Sequence, residues 1–354
     1  MKQKSNLVPR EMGYRMPAEW EPHRATWLTW PRREGISFPD RFDAIPKYWV
    51  RMTELLSEGE EVRINVFNAV HEEEVKEALI KAGLEKKLNR RIFLHQFPAY
   101  EPWCRDHGPI FLVKEETPQL AVVDWRYNAW GGKYPPYDLD DAVPQRIAEY
   151  LKVPLFQPGI VMEGGSIDVN GKGALLTTTS CLLNANRNPT LSQSEIEVYL
   201  KNYLGVTQVL WLGEGILGDD TDGHVDDITR FVSTETILTC VADDPQDPNF
   251  EPLMENYRRL LEMKDGAGNA FRICTLPMPD SVVYEGQWLP ASYANFYIGN
   301  DVVLVPIYDC DNDGEALLTL RELFPTRKVH GIDCRDLVWG LGAFHCVTQQ
   351  QPLV

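Results

Sequence analysis

The chain has 354 residues, 44% of them hydrophobic, which is ample for a large core in one or two domains. Its net charge of -17 argues against nucleic-acid or anionic-membrane partners, which need basic faces, and suits a small cationic substrate. No apolar run reaches bilayer length, Met1–Asn6 lacks a signal-peptide apolar region, and the seven cysteines show no paired CxxC spacing, so a cytosolic protein with reduced thiols is expected.

Residues 1–16 read as an N-terminal extension, and the stretch Pro17–Pro31, rich in Trp and Pro, leads into a strand at Ala25–Trp30. The pattern then predicts a helix over Arg41–Glu58, a strand over Val62–Phe67, a helix over His71–Ala82 and a strand over Arg91–Phe97. A turn carrying Trp103–Pro109 follows, then strands at Ile110–Val113 and Leu120–Tyr127. The same order recurs. A helix at Asp140–Leu151 and a strand near Leu155 precede the turn Met162–Asp168 and the strand Ala174–Thr178. A helix at Ser192–Leu204 and a strand at Gln208–Leu212 precede Asp222–Asp226, then strands at Ile228–Ser233 and Thr236–Cys240. Further on come a helix at Asn249–Met263, strands at Phe271–Leu276, Asn295–Ile298 and Val302–Pro306, a helix at Asp313–Phe324 and a strand at Lys328–Ile332. Trp339–Gln350 reads as the last strand-like stretch, with Cys346 on a short extended segment.

The units repeat about every 55–70 residues without a polar linker, which suggests one domain, 1–354, built as a closed array of similar modules. Equivalent turns in such an array converge on one face. Four of them, at Trp103–Asp106, Glu163–Gly165, Gly223–Asp226 and Gly342–Cys346, carry ionisable groups between apolar strands, where burial without a partner is costly. A shared site explains this better than connection alone.

Each group also has a plainer reading. A Cys between Phe344 and Val347 is most often a small core residue, and Gly340 and Gly342 before it permit close approach of backbone or ligand. Asp219–Asp227 could be a solvated acidic turn, although His224 and Asp226, two apart, share a face of an extended segment and suit proton transfer. Asp309–Gly314 imitates a calcium loop but has Leu320 where the bidentate Glu belongs, so its acids are expected to cap a helix. Cys104-x-x-His107 lacks the partner half of a zinc site, and no nucleotide or serine-hydrolase motif is present. No metal and no cofactor are expected. A thiol, a histidine and several carboxylates remain, a set suited to holding a flat guanidinium and attacking its carbon.

At these residues the chain resembles the agmatine deiminases of the Porphyromonas-type peptidylarginine deiminase family, within the guanidino-modifying pentein superfamily. The resemblance rests on Trp103-Cys-Arg-Asp106, Asp124-Trp-x-Tyr-Asn-Ala-Trp-Gly-Gly132, Met162-Glu-Gly-Gly165, Asp220-Thr-Asp-Gly-His-Val-Asp226, Ser292-Tyr-x-Asn-Phe-Tyr297 and His345-Cys-x-Thr-Gln-Gln350. It implies an α/β fold, a five-bladed propeller of ββαβ-type units around a central active site. It also implies Cys346 as nucleophile, His224 as general acid/base, Asp106 and Asp226 as the guanidinium clamp, and Glu163 as the group that orients His224 and contacts substrate. Trp103 would wall the pocket and Asp220 would meet the far ammonium of agmatine. The implied reaction passes through a covalent thiouronium on Cys346 and yields N-carbamoylputrescine and ammonia, with no cofactor.

Two departures bear on the substrate. Gly340-Leu-Gly-Ala-Phe344 replaces the Gly-Gly-Gly-Asn-Ile of many agmatine deiminases, and Ala129-Trp-Gly131 stands where the peptidylarginine branch has arginines for a carboxylate, leaving Arg126 as the one alternative grip. Free or peptidyl arginine, an amidinotransferase reaction and simple binding of a polyamine-like cation therefore stay open as alternatives. A homo-oligomer is left open too.

Overall fold

The computed structural model describes residues 7–354. Its strands form five mixed sheets of one pattern and a separate small hairpin, Val283–Tyr284 with Gln287–Trp288. In each sheet a first strand pairs antiparallel with a central strand, and the central strand leads through a helix to a parallel third strand. Four sheets take their strands from consecutive chain: Ile110–Val113, Leu120–Val123 and Leu155–Phe156; Ile167–Val169, Ala174–Thr178 and Gln208–Leu212; Thr229–Phe231, Thr236–Val241 and Arg272–Pro277; Tyr297–Ile298, Val302–Ile307 and Lys328–Asp333. The fifth joins the two ends of the chain. Thr348–Pro352 pairs antiparallel with His23–Thr29, and Glu61–Asn65 and Ile92–His95 follow in parallel.

The sequence dictates this local order directly. Parallel neighbours need a long crossover, and the helices Pro46–Gly59, Val143–Leu151, Gln193–Leu204, Phe250–Glu262 and Asp313–Leu323 supply it. Central strands such as Leu120–Val123, an unbroken apolar run, and Ala174–Thr178, apolar up to its two closing threonines, are buried along their whole length. Gln193–Leu204 buries Ile196, Leu200 and Leu204 at helical spacing. Ser192 and Glu195 form a capping box at its start, and Gly205 ends it with φ +70°.

Several boundaries differ from the sequence reading. The helix expected from Arg41 begins at Pro46, since proline lacks an N–H and fits the first helical position, while Phe42–Ala44 form a separate 3₁₀ turn. Of Trp339–Gln350, only Thr348 onward is strand. Val338–Gly340 is 3₁₀, Leu341 takes a left-handed φ of +69°, and Cys346 stands in a turn rather than on an extended segment. The physical reason is that the amides of His345 and Cys346 bond to the Asn295 side chain instead of a neighbouring strand. Asp313 does serve a helix start: its carboxylate accepts the amides of Tyr308, Asp309 and Cys310 in the turn before it. The expected N-terminal extension is described from Leu7, and its Tyr14 and Met16 are buried. Among the described residues no helix is long and apolar enough to cross a membrane.

Candidate active site

The site is assembled from one repeated position, the turn that leaves the third strand of one sheet and enters the first strand of the next. Asp106 lies in the helical turn Cys104–His107 before Ile110, and Glu163 stands just ahead of the 3₁₀ turn Gly164–Ser166 before Ile167. His224 precedes, and Asp226 belongs to, the 3₁₀ turn Val225–Asp227 before Thr229, so these two meet through a turn rather than along an extended segment. Cys346 lies in the turn before Thr348. The glycines of the second turn are needed for close approach. A Cβ on Gly165 would fall 2.5 Å from His224 Nδ1 and 2.8 Å from Asp106 Oδ1. At Gly342 it is the Trp103 ring that approaches, 2.7 Å from where a Cβ would stand.

All five expected catalytic side chains come together and all are buried. Cys346 Sγ lies 3.8 Å from Asp226 Oδ2 and accepts a hydrogen bond from Asn295 Nδ2 at 3.0 Å. Burial pushes its thiol well above the usual cysteine range, and the negative charges of Asp226, Asp227 and Asp106 push the same way. His224 Nδ1 is 3.6 Å from Asp106 Oδ1 and 4.0 Å from Asp226 Oδ1. Burial disfavours its charged ring, but Asp106, Cys181 and Asp226 outweigh that and hold the imidazole well above its ordinary value. Glu163 Oε2 is 4.0 Å from His224 Nε2, beyond hydrogen-bond range, so Glu163 neighbours the ring without bonding it.

Several functional groups escape the sequence reading. Asn295 stands in the fifth of the equivalent turns, before Tyr297; besides Cys346 Sγ it bonds Asp227 Oδ1 at 2.9 Å. The repeat itself could have found it, because its unit was the one without an assigned polar group. Arg187 fixes Glu163 with an Nε–Oε1 bond of 2.6 Å and also binds Asp222 and the carbonyl of Thr221. Trp130 donates its indole N–H to Asp106 Oδ2 at 2.9 Å from a backbone held at φ +54°, a strained conformation for a bulky residue. Gly165 N donates to the other Asp106 oxygen at 3.0 Å. Glu19, from the N-terminal stretch, pairs with Arg105, Arg230 and His345, the neighbour of Cys346. No local pattern marks Arg187 or Glu19.

A cleft of about 220 Å³ reaches Asp106 and Cys346, and Trp103, Trp130, Tyr134 and Leu341 are among its walls. Asp220 and Glu101 also line it, and among the described residues no Lys or Arg does. Both oxygens of Asp220 already have a partner, Oδ1 with Lys133 Nζ at 3.3 Å and Oδ2 accepting from the Tyr134 hydroxyl. Arg126 pairs with Asp141 at the surface and does not line the cleft, so the alternative carboxylate grip is not there. Among the described residues two groups of side chains have metal-type donors within 4.8 Å of one another, Glu163 with Cys181 and His224, and Asp226 with Asp227 and Cys346. Each shares members with the set of expected catalytic side chains.

The family model described as Porphyromonas-type peptidyl-arginine deiminase matches residues 15–352, and the chain belongs to that family. A Legionella pneumophila protein carrying the provisional name agmatine deiminase is 38% identical over 348 residues, covering 98% of this chain and 97% of its own. The agmatine deiminase structure of Enterococcus faecalis superposes with a TM-score of 0.90 at 33% identity, covering 99% of each chain. A Campylobacter jejuni agmatine deiminase with substrate bound gives 0.86 at 30% identity and covers 96% of each. An amidinotransferase from Microseira wollei, 12% identical with a TM-score of 0.55 over 94% of this chain and 95% of that one, shares the fold alone.

Proposed function

We propose that this member of the family is an agmatine deiminase, hydrolysing the guanidinium of agmatine to N-carbamoylputrescine and ammonia. The observation that carries the reading is a group of buried polar atoms near the thiol with no hydrogen-bond partner among the described residues: Asp226 Oδ1, Glu163 Oε2 and both ring nitrogens of His224. Two carboxylate oxygens open to N–H donors, one near each ring nitrogen of His224, together with Asp106, which lines the cleft, suit a planar cation that presents several N–H groups. The named activity of the relatives supports the same reading. Agmatine is favoured over arginine because the cleft has aromatic walls for methylenes and the acids Asp220 and Glu101 for an ammonium, and among the described residues no Lys or Arg lines it to take a carboxylate.

The mechanism follows from the charges. A bound cation offsets the carboxylates that keep Cys346 protonated, so its thiol ionises once substrate is present. The thiolate adds to the guanidinium carbon, His224 gives a proton to one –NH₂, and ammonia leaves as that C–N bond breaks. A cationic thiouronium remains on Cys346. His224 then takes a proton from water as its oxygen adds to the same carbon, and collapse breaks the C–S bond, frees the ureido product and restores the thiol. The five sheets are read as blades of one closed propeller and catalytic domain, with Thr348–Pro352 on His23–Thr29 as the closing pair.

The test is ammonia release from agmatine, arginine and a C-terminal arginyl peptide, with the ureido product identified by mass. Agmatine should be turned over fastest, and Cys346→Ala should be folded and inactive. Faster turnover of arginine would overturn the substrate assignment. Equal labelling of exposed cysteines and Cys346 by a haloacetamidine, without turnover, would leave only a cation-binding protein.

A further inference from the structure

His345, the neighbour of the nucleophile, is 2% exposed and lies between two carboxylates. Its Nδ1 is 2.6 Å from Asp226 Oδ2 and its Nε2 is 2.7 Å from Glu19 Oε2. Ionised carboxylates only accept, so a ring bonded to both at these lengths carries both protons. The far end is well anchored. Glu19 Oε2 also faces Arg105 Nη2 at 3.2 Å and Arg230 Nη2 at 3.0 Å, and Glu19 Oε1 accepts the amide of Ile298 at 2.8 Å. Arg105 in turn reaches the carbonyls of His345 and Cys346, and Arg230 pairs with Asp168. The near end is the clamp. His345 occupies Asp226 Oδ2 and leaves Asp226 Oδ1 unpartnered on the His224 side.

We propose that His345, held as an imidazolium between Glu19 and Asp226, is a positioning residue for guanidinium binding: it turns Asp226 so that one oxygen faces the substrate and keeps that carboxylate ionised. The proposal rests on Asp226 binding the guanidinium, as in the function argued above. The groups facing Asp226 are His345, His224, Arg230, Asp106, Asp219, Asp227 and the Cys346 thiol; burial opposes its charge, yet His345 leads the cationic groups that hold it below the ordinary carboxylate range. Loss of the imidazolium therefore raises the pH needed to ionise Asp226.

The experiment uses the full chain as wild type, His345→Gln and Glu19→Gln. Each is assayed for kcat and KM on agmatine across pH, and for the rates at which a cationic haloacetamidine and neutral iodoacetamide label Cys346. In His345→Gln, KM should rise about tenfold or more with a smaller fall in kcat, as expected on losing a bond to a charged group. The acid limb of kcat/KM should move to higher pH, and the amidine should lose its rate advantage over iodoacetamide. Glu19→Gln should show the same three changes in smaller degree, and it carries the test should His345→Gln not fold. A loss of thermal stability with KM, pH profile and labelling preference unchanged in the folded variants would make His345 purely structural and overturn the proposal. If wild type turns over no agmatine, the substrate reading fails by itself, and the labelling ratio still decides the role of His345.

Discussion

Asp106 and Asp226 are both buried beside the same thiol and the same histidine, yet their surroundings drive them in opposite directions. Asp106 takes its hydrogen bonds from neutral donors, the Trp130 indole and the Gly165 amide. Burial wins there and pushes its pKa to about 6, against His224 and with the help of Asp226 and Glu163. Asp226 meets the ring of His345, with Arg230 and Glu19 close behind, and it falls below the ordinary range although burial again opposes it. Neutral hydrogen bonds do not offset desolvation of a charge, whereas a directly bonded cation does. Of the two arms of the proposed clamp, Asp226 is thus favoured in its ionised form by its neighbours, whereas Asp106 needs the cation, or a pH above about 6, to become so.

The sign of each linkage follows. Asp226, depressed in the fold, adds stability above its unfolded pKa and loses it as pH falls through the lower folded value. Asp106, raised in the fold, does the reverse: it costs stability as pH rises from its unfolded value to about 6, on the order of 3 kcal/mol in all.

Substitutions can break this asymmetry. Asp226→Asn should have the largest effect, since it removes the ionised arm and strands His345: kcat/KM should fall about a thousandfold, and stability should drop by about 3 kcal/mol, read from the denaturation midpoint. Asp106→Asn should lose about a hundredfold in kcat/KM. Its denaturation midpoint should shift by no more than about 1 kcal/mol, because relief of a buried charge offsets one mispaired donor. If the two variants destabilise equally, the contrast between the arms is wrong. In the wild type, kcat/KM should fall about tenfold per unit as pH drops below about 6, where Asp106 takes up a proton. Trp130→Phe removes one neutral donor, worth about 1 kcal/mol. It should raise the Asp106 pKa and move that acid limb upward by less than one unit, with turnover at high pH nearly unchanged; an unmoved limb would take the titration away from Asp106.

The repeat was legible because each unit spells out its own elements. The strands Ile110–Val113, Ala174–Thr178 and Gln208–Leu212 run over the residues expected, and five of the helices differ only at their ends from the periodic apolar pattern. The site turns were legible for a related reason: acids and a His flanked by apolar strand are costly unless they meet. The Cys346 segment was misread as extended because its backbone bonds go to Asn295, fifty residues away in the chain, and no local pattern records that.

Sequence alone therefore settled the alternation of strand, helix and strand, the positions of Asp106, Glu163, His224, Asp226 and Cys346 at equivalent turns, and the acidic character that suits a cation. These depend on side-chain period and on where polar groups interrupt apolar runs, both of which are local. Only the tertiary structure decided which second group touches each of them: Arg187 on Glu163, Trp130 on Asp106, Asn295 on Cys346, and the Glu19–His345 pair on Asp226. Burial and charge pairing are set by residues brought together from different sheets, so the protonation state of each arm of the clamp is a property of the folded chain.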